Sequence, residues 1–452
     1  MNYSSVEFML IFPLFCALYW LVRSQRGKLV TLLIGSFLFY AYGEPGGVPL
    51  LVAVIALAYL SGRLMEFPGA PRRLIVAAAI ALLLIDLAFF KYSGFASSLL
   101  PPGVVFPAAP FLPLGISFFT FEAIAYVVDL RRGATGAERS PLRLALFVAV
   151  FPHLISGPIM RPGDILPQLR RRLEWHLPVF VSGLQLFVEG LFKKRILGDT
   201  AGAIVDPIFG AVGGAGTEAA WLAALAYTVQ IYGDFAGYTD MGRGIARMLG
   251  LELPLNFDSP YASASITEFW RRWHISLSSW LRDYLYVPLG GNRRGHLRTY
   301  GNLVTTMILG GLWHGAGWTF LLWGAYHGLL LAFERRFRWY QYVPRWLATA
   351  VALFLVVNGW VLFRAQQLPV YLAMLHALYI PTRGVPPSTR DVIIIAALFA
   401  GTVAAMIVGP MKGVLTKIRR ATVLSGLGYG AVIGAVLLFA PTATRPFIYF
   451  RF

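Results

Sequence analysis

Apolar runs separated by short polar segments recur along nearly the whole chain. They lie near 3–22, 29–42, 47–65, 75–91, 113–130, 143–157, 178–197, 221–248, 303–333, 347–363, 392–408 and 423–440. Several are long enough, or nearly so, to cross the ~30 Å of hydrocarbon in a bilayer. The pattern predicts an all-α polytopic membrane protein of about eleven or twelve transmembrane or re-entrant helices, with interfacial helices besides. The run at 303–333 fits one long helix or two pieces. The longest polar interval is 250–302. Within it, "SASITEFWRRWHISLSSWLRDYLYVPLGGNRRG" (263–295) opens with Ser265 and, three residues on, Glu268, the spacing of a capping box. Trp270, Trp273, Leu277, Trp280 and Tyr284 then step by three and four, with Arg271, Arg272, Ser278, Ser279 and Arg282 opposite. Pro288 and the Gly290–Gly291 pair stop the pattern. This predicts a helix over 264–286 lying flat at the cytoplasmic membrane face, tryptophans toward lipid and arginines toward water.

Composition agrees with the pattern. The 452 residues are 57% hydrophobic and 13% charged, about half the charge of a soluble domain. The formal net charge of +18 is spread over short loops such as "RSQRGK" (23–28), "RRGATGAERSPLR" (131–143) and "RPGDILPQLRRR" (161–172). Nucleic-acid binding would gather that charge on one exposed domain. The positive-inside rule accounts for it instead, with the lipid bilayer as the partner, and places the N-terminus outside the cytoplasm. The first run lacks a basic leader and a small-residue cleavage site, so it reads as a span and not a cleaved signal. Cys16 is the single cysteine and lies inside that run, which excludes an intrachain disulfide and argues against an acyl-cysteine intermediate.

Imidazoles at membrane depth are costly and usually face a bundle interior. "GGLWHGAGWTFLLWGAYHG" (310–328) holds His314 and His327, and "FPHLISGP" holds His153. The glycines round His314 permit close helix approach or leave room for a substrate. On one continuous helix, His327 would point about 220° away from His314, at ~100° per residue. His274, in the polar interval, sits at the edge of the aromatic stripe. His176, His296 and His376 read as loop or interface residues. Gln230, Asp234 and Tyr238 step by four along one face, with Asp240 nearby, and read as a buried polar scaffold. Arg364 either snorkels to the interface or pairs with such a carboxylate. Read from the residues alone, the histidines fit interhelical hydrogen bonds as well as catalysis.

Several strings together resemble the membrane-bound O-acyltransferase family, in the bacterial branch of alginate O-acetylation and teichoic acid D-alanylation. They are "FPHLISGPIMRPGDILPQL" (151–169), "YGDFAGYTDMGRGIARMLG" (232–250), "LNFDSPY" (255–261), "EFWRRWHISLSSWLRDYLYVPLGGNR" (268–293), the 310–328 stretch and "PFIYFRF" (446–452). The resemblance implies one membrane-embedded acyltransferase domain over 1–452, with generic spans at 1–110, a motif-bearing core at 111–365 and C-terminal spans at 366–452. It implies a bundle with a funnel or tunnel in a bacterial inner membrane.

Members of that family place a catalytic histidine in a His-Gly context, which is His314 here. A second polar residue some forty positions earlier corresponds to His274. The expected chemistry is acyl transfer from a thioester to a hydroxyl, with His314 as general base, since a neutral imidazole takes a hydroxyl's proton near neutral pH. His274 is expected to help bind or polarise the acyl carbonyl, with Arg271, Arg272, Arg282 and Trp273 near the donor. His327, Gln230, Asp234, Asp240 and Arg364 are expected to be structural. Acetyl-CoA or a similar thioester is the expected donor, and a periplasmic or membrane-anchored acyltransferase the expected partner. No nucleophile elbow, phosphate-binding loop or zinc-ligand set appears, so no metal or cofactor is expected. A D-alanyl or longer-acyl transferase is the alternative enzyme. A secondary transporter is the alternative class, and the internal repeats it requires are not seen.

Overall fold

The structure, a computed structural model, describes residues 2–101, 104, 107–408, 422–442 and 445–448. The last four residues of the C-terminal "PFIYFRF" string lie outside them. Among the described residues the chain is helical, with no strand beyond a single bridge between Ala215 and Val385. Four helices among the described residues are long and apolar enough to cross a membrane: Pro45–Leu64, Arg72–Ser98, Arg345–Ala365 and Thr389–Ile407. The chain forms two compact units, Met1–Phe187 with Tyr238–Pro254, and Val188–Gly237 with Leu255–Phe452.

The first unit contains α1 (Val6–Leu21), α2 (Gln25–Gly43), α3 (Val48–Leu64), α4 (Arg72–Ser98), α5 (Ile116–Arg132), α6 (Pro141–Ala149), α7 (Phe151–Leu154) and α8 (Pro162–Arg170). It also takes most of α9 (Leu177–Phe192) and the end of α11 (Thr217–Met248). Ser5 and Ser24 accept the backbone N–H of Phe8 and Gly27, which starts α1 and α2 by N-capping. On α1 the exposed Leu10, Leu14, Leu18 and Leu21 form one stripe, an apolar face suited to lipid. α5 is the interior helix, buried from Ile116 to Val127. Its Glu122 pairs with the fully buried His153 at 3.1 Å and accepts the Met160 N–H at 2.9 Å. The apolar run at 143–157 is broken, because Pro152 cannot donate into a helix continuing from α6. α9 and α11 cross at a pair of glycines. A Cβ on Gly183 would lie 2.7 Å from the Gly244 carbonyl, and one on Gly244 2.5 Å from the Gly183 carbonyl. Beyond the membrane-length helices, Glu138 is 1% exposed and holds Arg143 at 2.8 Å and Arg170 at 2.9 Å. Burial alone would raise its carboxyl's pKa, but Arg143, the Ser140 N–H and Arg170 together hold it below the usual value.

The second unit begins with a π-helical turn, Lys193–Gly198, that leads into α10 (Asp199–Gly210). Small residues seat this turn on α11: a Cβ on Gly233 would lie 2.5 Å from the Gly198 nitrogen, and one on Gly237 2.7 Å from the Gly190 carbonyl. Then come α12 (Ile266–Arg272), α13 (Ile275–Leu281), a second π-helical turn at Arg282–Tyr286, α14 (His296–His314) and α15 (Trp318–Phe337). α16 (Arg345–Ala365), α17 (Leu368–Tyr379), α18 (Thr389–Ile407) and α19 (Thr422–Phe439) complete it. The 303–333 run is two helices, α14 and α15, turned at Gly315–Gly317. They pack so closely that a Cβ on Gly311 would meet the Phe320 carbonyl at 2.2 Å, and one on Gly324 the Met307 carbonyl at 2.3 Å. His376, read from sequence as a loop or interface residue, stands exposed on α17.

Candidate active site

The predicted helix over 264–286 is broken in the middle, and the break creates the site. Ser265 caps α12 by accepting the Glu268 N–H at 3.0 Å, while the Glu268 carboxylate reaches back to the Ala264 N–H at 2.8 Å. A second carboxylate, Glu334 near the end of α15, accepts the Ile266 N–H at 2.7 Å and the Thr267 N–H at 2.9 Å. α12 stops at Trp273, and His274 takes a left-handed conformation with φ of 44° before α13 begins. For a residue with a Cβ that conformation costs on the order of 1 kcal/mol or more and must be held by its surroundings. Asn256 holds it. Its carbonyl accepts the Ile275 N–H at 3.0 Å, and its side-chain Oδ1 accepts the Ser276 N–H at 3.1 Å and the Ser276 hydroxyl at 2.9 Å.

The same Oδ1 lies 3.3 Å from Nδ1 of His274. A backbone N–H only donates, so the Ser276 contact fixes the Asn256 amide with its oxygen toward the ring. An amide oxygen only accepts, so Nδ1 carries the hydrogen and Nε2 presents a lone pair, an assignment made from the hydrogen-bond network. That Nε2 is buried and has no hydrogen-bond partner among the described residues. Burial without an opposing charge pushes the His274 pKa down to about 3, so the ring is neutral at physiological pH.

His314 is the last residue of α14 and is 3% exposed. Its ring lies 6.3 Å from that of His274, centroid to centroid, among Trp313 at 4.9 Å, Trp323 at 5.2 Å and Phe363 at 5.2 Å. Gly315 follows because a Cβ there would strike the Phe320 ring at 2.1 Å. Phe235 stands edge-on to His274 at 4.6 Å. The structure therefore brings together the two histidines singled out from the sequence, both buried among aromatic rings.

His327 is fully buried on α15, 5.0 Å from Trp323, and faces Trp270 Nε1 across 3.4 Å. The expected angular separation of His314 and His327 presumed one helix. The turn at Gly315–Gly317 voids it, and the two rings instead flank the same indole of Trp323. The tryptophan stripe also differs from expectation. Trp270, Trp273 and Trp280 are all buried, and α15 and α16 bring aromatic partners to the first two, Trp323 to Trp270 and Trp360 to Trp273. Trp273 packs 4.8 Å from Trp360, 4.9 Å from Phe257 and 5.6 Å from Phe269, which leaves it no surface to offer a donor. Arg271 is exposed, Arg272 pairs with Glu268 at 2.7 Å, and Arg282 pairs with Asp283 at 2.6 Å.

The polar scaffold is divided. Asp240 belongs to the first unit, where it pairs with Arg243 at 3.3 Å. Asp234 belongs to the second and meets Lys194, whose Nζ is 2.6 Å from it and 2.8 Å from Asp199. Arg195 adds a 2.6 Å contact to Asp199. Arg364 pairs with Asp206 at 2.8 Å, so it does meet a carboxylate, though one outside the predicted scaffold. Sequence reading missed Asn256, Lys194, Asp199, Asp206 and Glu334. Only Asn256 carried a signal, as part of the "LNFDSPY" string.

The membrane-bound O-acyltransferase family model matches residues 116–374, which include both histidines and Asn256. The chain is 43% identical over 394 residues to a probable alginate O-acetylase of Pseudomonas putida, across 84% of this chain and 80% of that protein. It is 35% identical over 383 residues to a peptidoglycan O-acetyltransferase of Helicobacter pylori, across 77% of this chain and 73% of that one. A teichoic acid D-alanyltransferase of Bacillus subtilis is 29% identical over 273 residues, across 56% of this chain and 69% of its own. The match covers more than half of the chain and the first two relatives align over most of theirs: the chain belongs to the membrane-bound O-acyltransferase family, as a multi-pass membrane acyltransferase.

Proposed function

We propose that this acyltransferase moves an acetyl group from a cytoplasmic thioester, acetyl-CoA or a close analogue, to a hydroxyl destined for an extracytoplasmic polysaccharide such as alginate. The names of the relatives aligned over most of the chain support acetyl and polysaccharide over D-alanyl and teichoic acid. The observation that carries the reading is the pair of buried imidazoles 6.3 Å apart, one with its tautomer set by Asn256. In the step, the hydroxyl oxygen attacks the thioester carbonyl carbon, the C–S bond breaks, and the thiolate leaves with the proton returned to it. His314 takes the hydroxyl's proton as general base, and Nε2 of His274 accepts the N–H of the imidazolium so formed. A lone pair at Nε2 suits that part better than polarising a carbonyl, which needs a donor. The exposed Arg271, with Arg272 and Arg282, is available to the donor's phosphates. The reading uses no metal or cofactor beyond the donor. It places the protein in a bacterial inner membrane with its N-terminus outside, passes the acyl group through a funnel across the membrane, and includes a periplasmic or membrane-anchored acyltransferase partner. The test is thiol release and product acetylation by purified protein in nanodiscs given acetyl-CoA and an acceptor polysaccharide. His314→Ala is expected to lower transfer by about 10²–10⁴-fold at equal protein. Unchanged turnover in that variant would overturn the proposal.

A further inference from the structure

In the first unit, residues 22–28 between α1 and α2 are tied to residues 171–176, the segment that follows α8. Gln25 makes the tie: its Nε2 donates to the Arg171 carbonyl at 2.8 Å, and its Oε1 accepts the Leu173 N–H at 2.9 Å. Lys28, 8% exposed, donates to the Leu173 carbonyl at 2.7 Å and lies 4.4 Å from the Trp20 ring. Its charge thus meets a dipole and a π face and no carboxylate. Arg23, Arg26, Arg171 and Arg172 are exposed on the same two segments. Glu174 is the single carboxylate there, 3.8 Å from Arg172. Five positive side chains stand against one negative.

Beside this basic platform, and within the same unit, a groove of about 560 Å³ runs along α1 from Phe8 to Trp20, with Trp175, Phe180 and Leu184 as its other wall. No charged side chain lines it. Trp20 and Trp175, 5.3 Å apart, stand at the end next to the platform: Trp20 is the ring that Lys28 lies over, and Trp175 follows Arg172 by three residues. Indoles between an apolar groove and a basic rim mark the boundary between hydrocarbon and headgroups. Phe8 and Trp20 are twelve residues apart, ~18 Å of helix, close to half of the ~30 Å hydrocarbon layer. The groove opens toward lipid, because Ala17 lines it, is exposed, and neighbours Leu14, Leu18 and Leu21 of the leucine stripe. A methylene takes up about the ~30 Å³ of a water, so the groove holds about eighteen carbons, one acyl chain. A partner helix, ~10–12 Å across, does not fit that volume over that length.

We propose that this groove is a site for one anionic phospholipid, an acyl chain lying along α1 and the phosphate held by the arginines of the two tied segments. The positive-inside rule accounts for the side of the membrane on which these arginines stand, and not for their fixation at the mouth of a chain-sized groove. A zwitterionic headgroup brings its own ammonium into the positive field and gains less from it. Each engaged basic side chain favours net negative charge by about fivefold.

The test is native mass spectrometry of the full-length protein in detergent, titrated with phosphatidylglycerol or with phosphatidylcholine of the same chains, and thermal unfolding under the same conditions. Wild type is expected to retain one phosphatidylglycerol with a Kd about 5–25-fold below that for phosphatidylcholine, as for one or two engaged basic side chains, and to unfold at a higher temperature with it bound. Arg23→Gln with Arg171→Gln should bring the two lipids within about threefold while the lipid-free unfolding temperature stays at the wild-type value. Arg131→Gln, an exposed arginine at the end of α5, should keep the full preference. Ala17→Trp, which fills the groove from its open edge, should weaken both lipids by about tenfold or more. Glycerol phosphate, a headgroup without chains, should fail to displace phosphatidylglycerol. Equal affinity of wild type for the two lipids would overturn the site. So would a preference that survives the paired arginine variant or is lost equally in Arg131→Gln, undiminished binding to Ala17→Trp, or displacement by glycerol phosphate.

Discussion

Lys194→Met should destabilise the protein severely, and a second substitution should largely restore it. Lys194 and Asp199 are wholly buried and Asp234 is 2% exposed, with the ammonium 2.8 Å and 2.6 Å from the two carboxylates. Arg195 holds the other oxygen of Asp199 at 2.6 Å, so the four side chains are neutral together. Removing the ammonium leaves one net negative charge among buried side chains, and breaking a buried pair in this way costs about 3–5 kcal/mol. Replacing the lysine and Asp234 together, by Lys194→Met with Asp234→Asn, leaves the neutral Arg195–Asp199 pair. The double variant is expected within about 1–2 kcal/mol of wild type, because neutral replacement of a whole buried pair is often tolerated. Thermal unfolding in one detergent, read by fluorescence size-exclusion chromatography at a series of temperatures, supplies the comparison. A Lys194→Met protein as stable as wild type would refute the reasoning, and so would a double variant less stable than the single one.

Three further outcomes follow from the site and its surroundings. Asn256→Asp puts a negative charge beside His274 and should raise that imidazole from about 3 to roughly 4–6. Because a raised pKa keeps the ring protonated up to a higher pH, the variant-to-wild-type ratio of kcat/KM should be flat above pH 7 and fall as pH drops through that window; a ratio independent of pH would contradict the tautomer assignment. His327→Phe should cost about 1–3 kcal/mol of stability with transfer within roughly tenfold of wild type, far less than the 10²–10⁴-fold expected for His314→Ala; the reverse order in a transfer assay at matched membrane abundance would invert the assignment. Cys16→Ser should leave transfer unchanged, since Cys16 is buried among apolar side chains of the first unit and is the chain's single thiol; loss of transfer with normal accumulation would reopen an acyl-cysteine route.

The periodic aromatic stripe predicts one helix over 264–286, yet it is blind to the break at His274. Nothing in the three-and-four spacing marks a left-handed residue, because the contact that holds it comes from Asn256, eighteen positions earlier. The stripe also misdirected the tryptophans to lipid. A tryptophan face reads alike whether it meets a membrane or another helix, and the choice was made by Trp323 and Trp360, far along the chain. The glycines at 310–328 did signal close approach, and they form the hairpin seam that positions His314. The buried ion cluster was half legible. Asp234 stands out as a carboxylate in an apolar run, while nothing in the 178–197 run marks Lys194, which a π-helical turn carries inward.

The Glu334 carboxylate has a mechanical consequence. It closes the first turn of α12 from the far end of α15, accepting two backbone N–H groups and the Thr267 hydroxyl. The helix that leads to His274 and the hairpin that carries His314 are thereby latched at one carboxylate as well as packed along their lengths. Sliding the hairpin by even one ångström would strip two donors from α12, so the two imidazoles are coupled as parts of one rigid jaw. A substrate that needs space between them must obtain it from the aromatic side chains, whose rings can rotate, and not from the backbone.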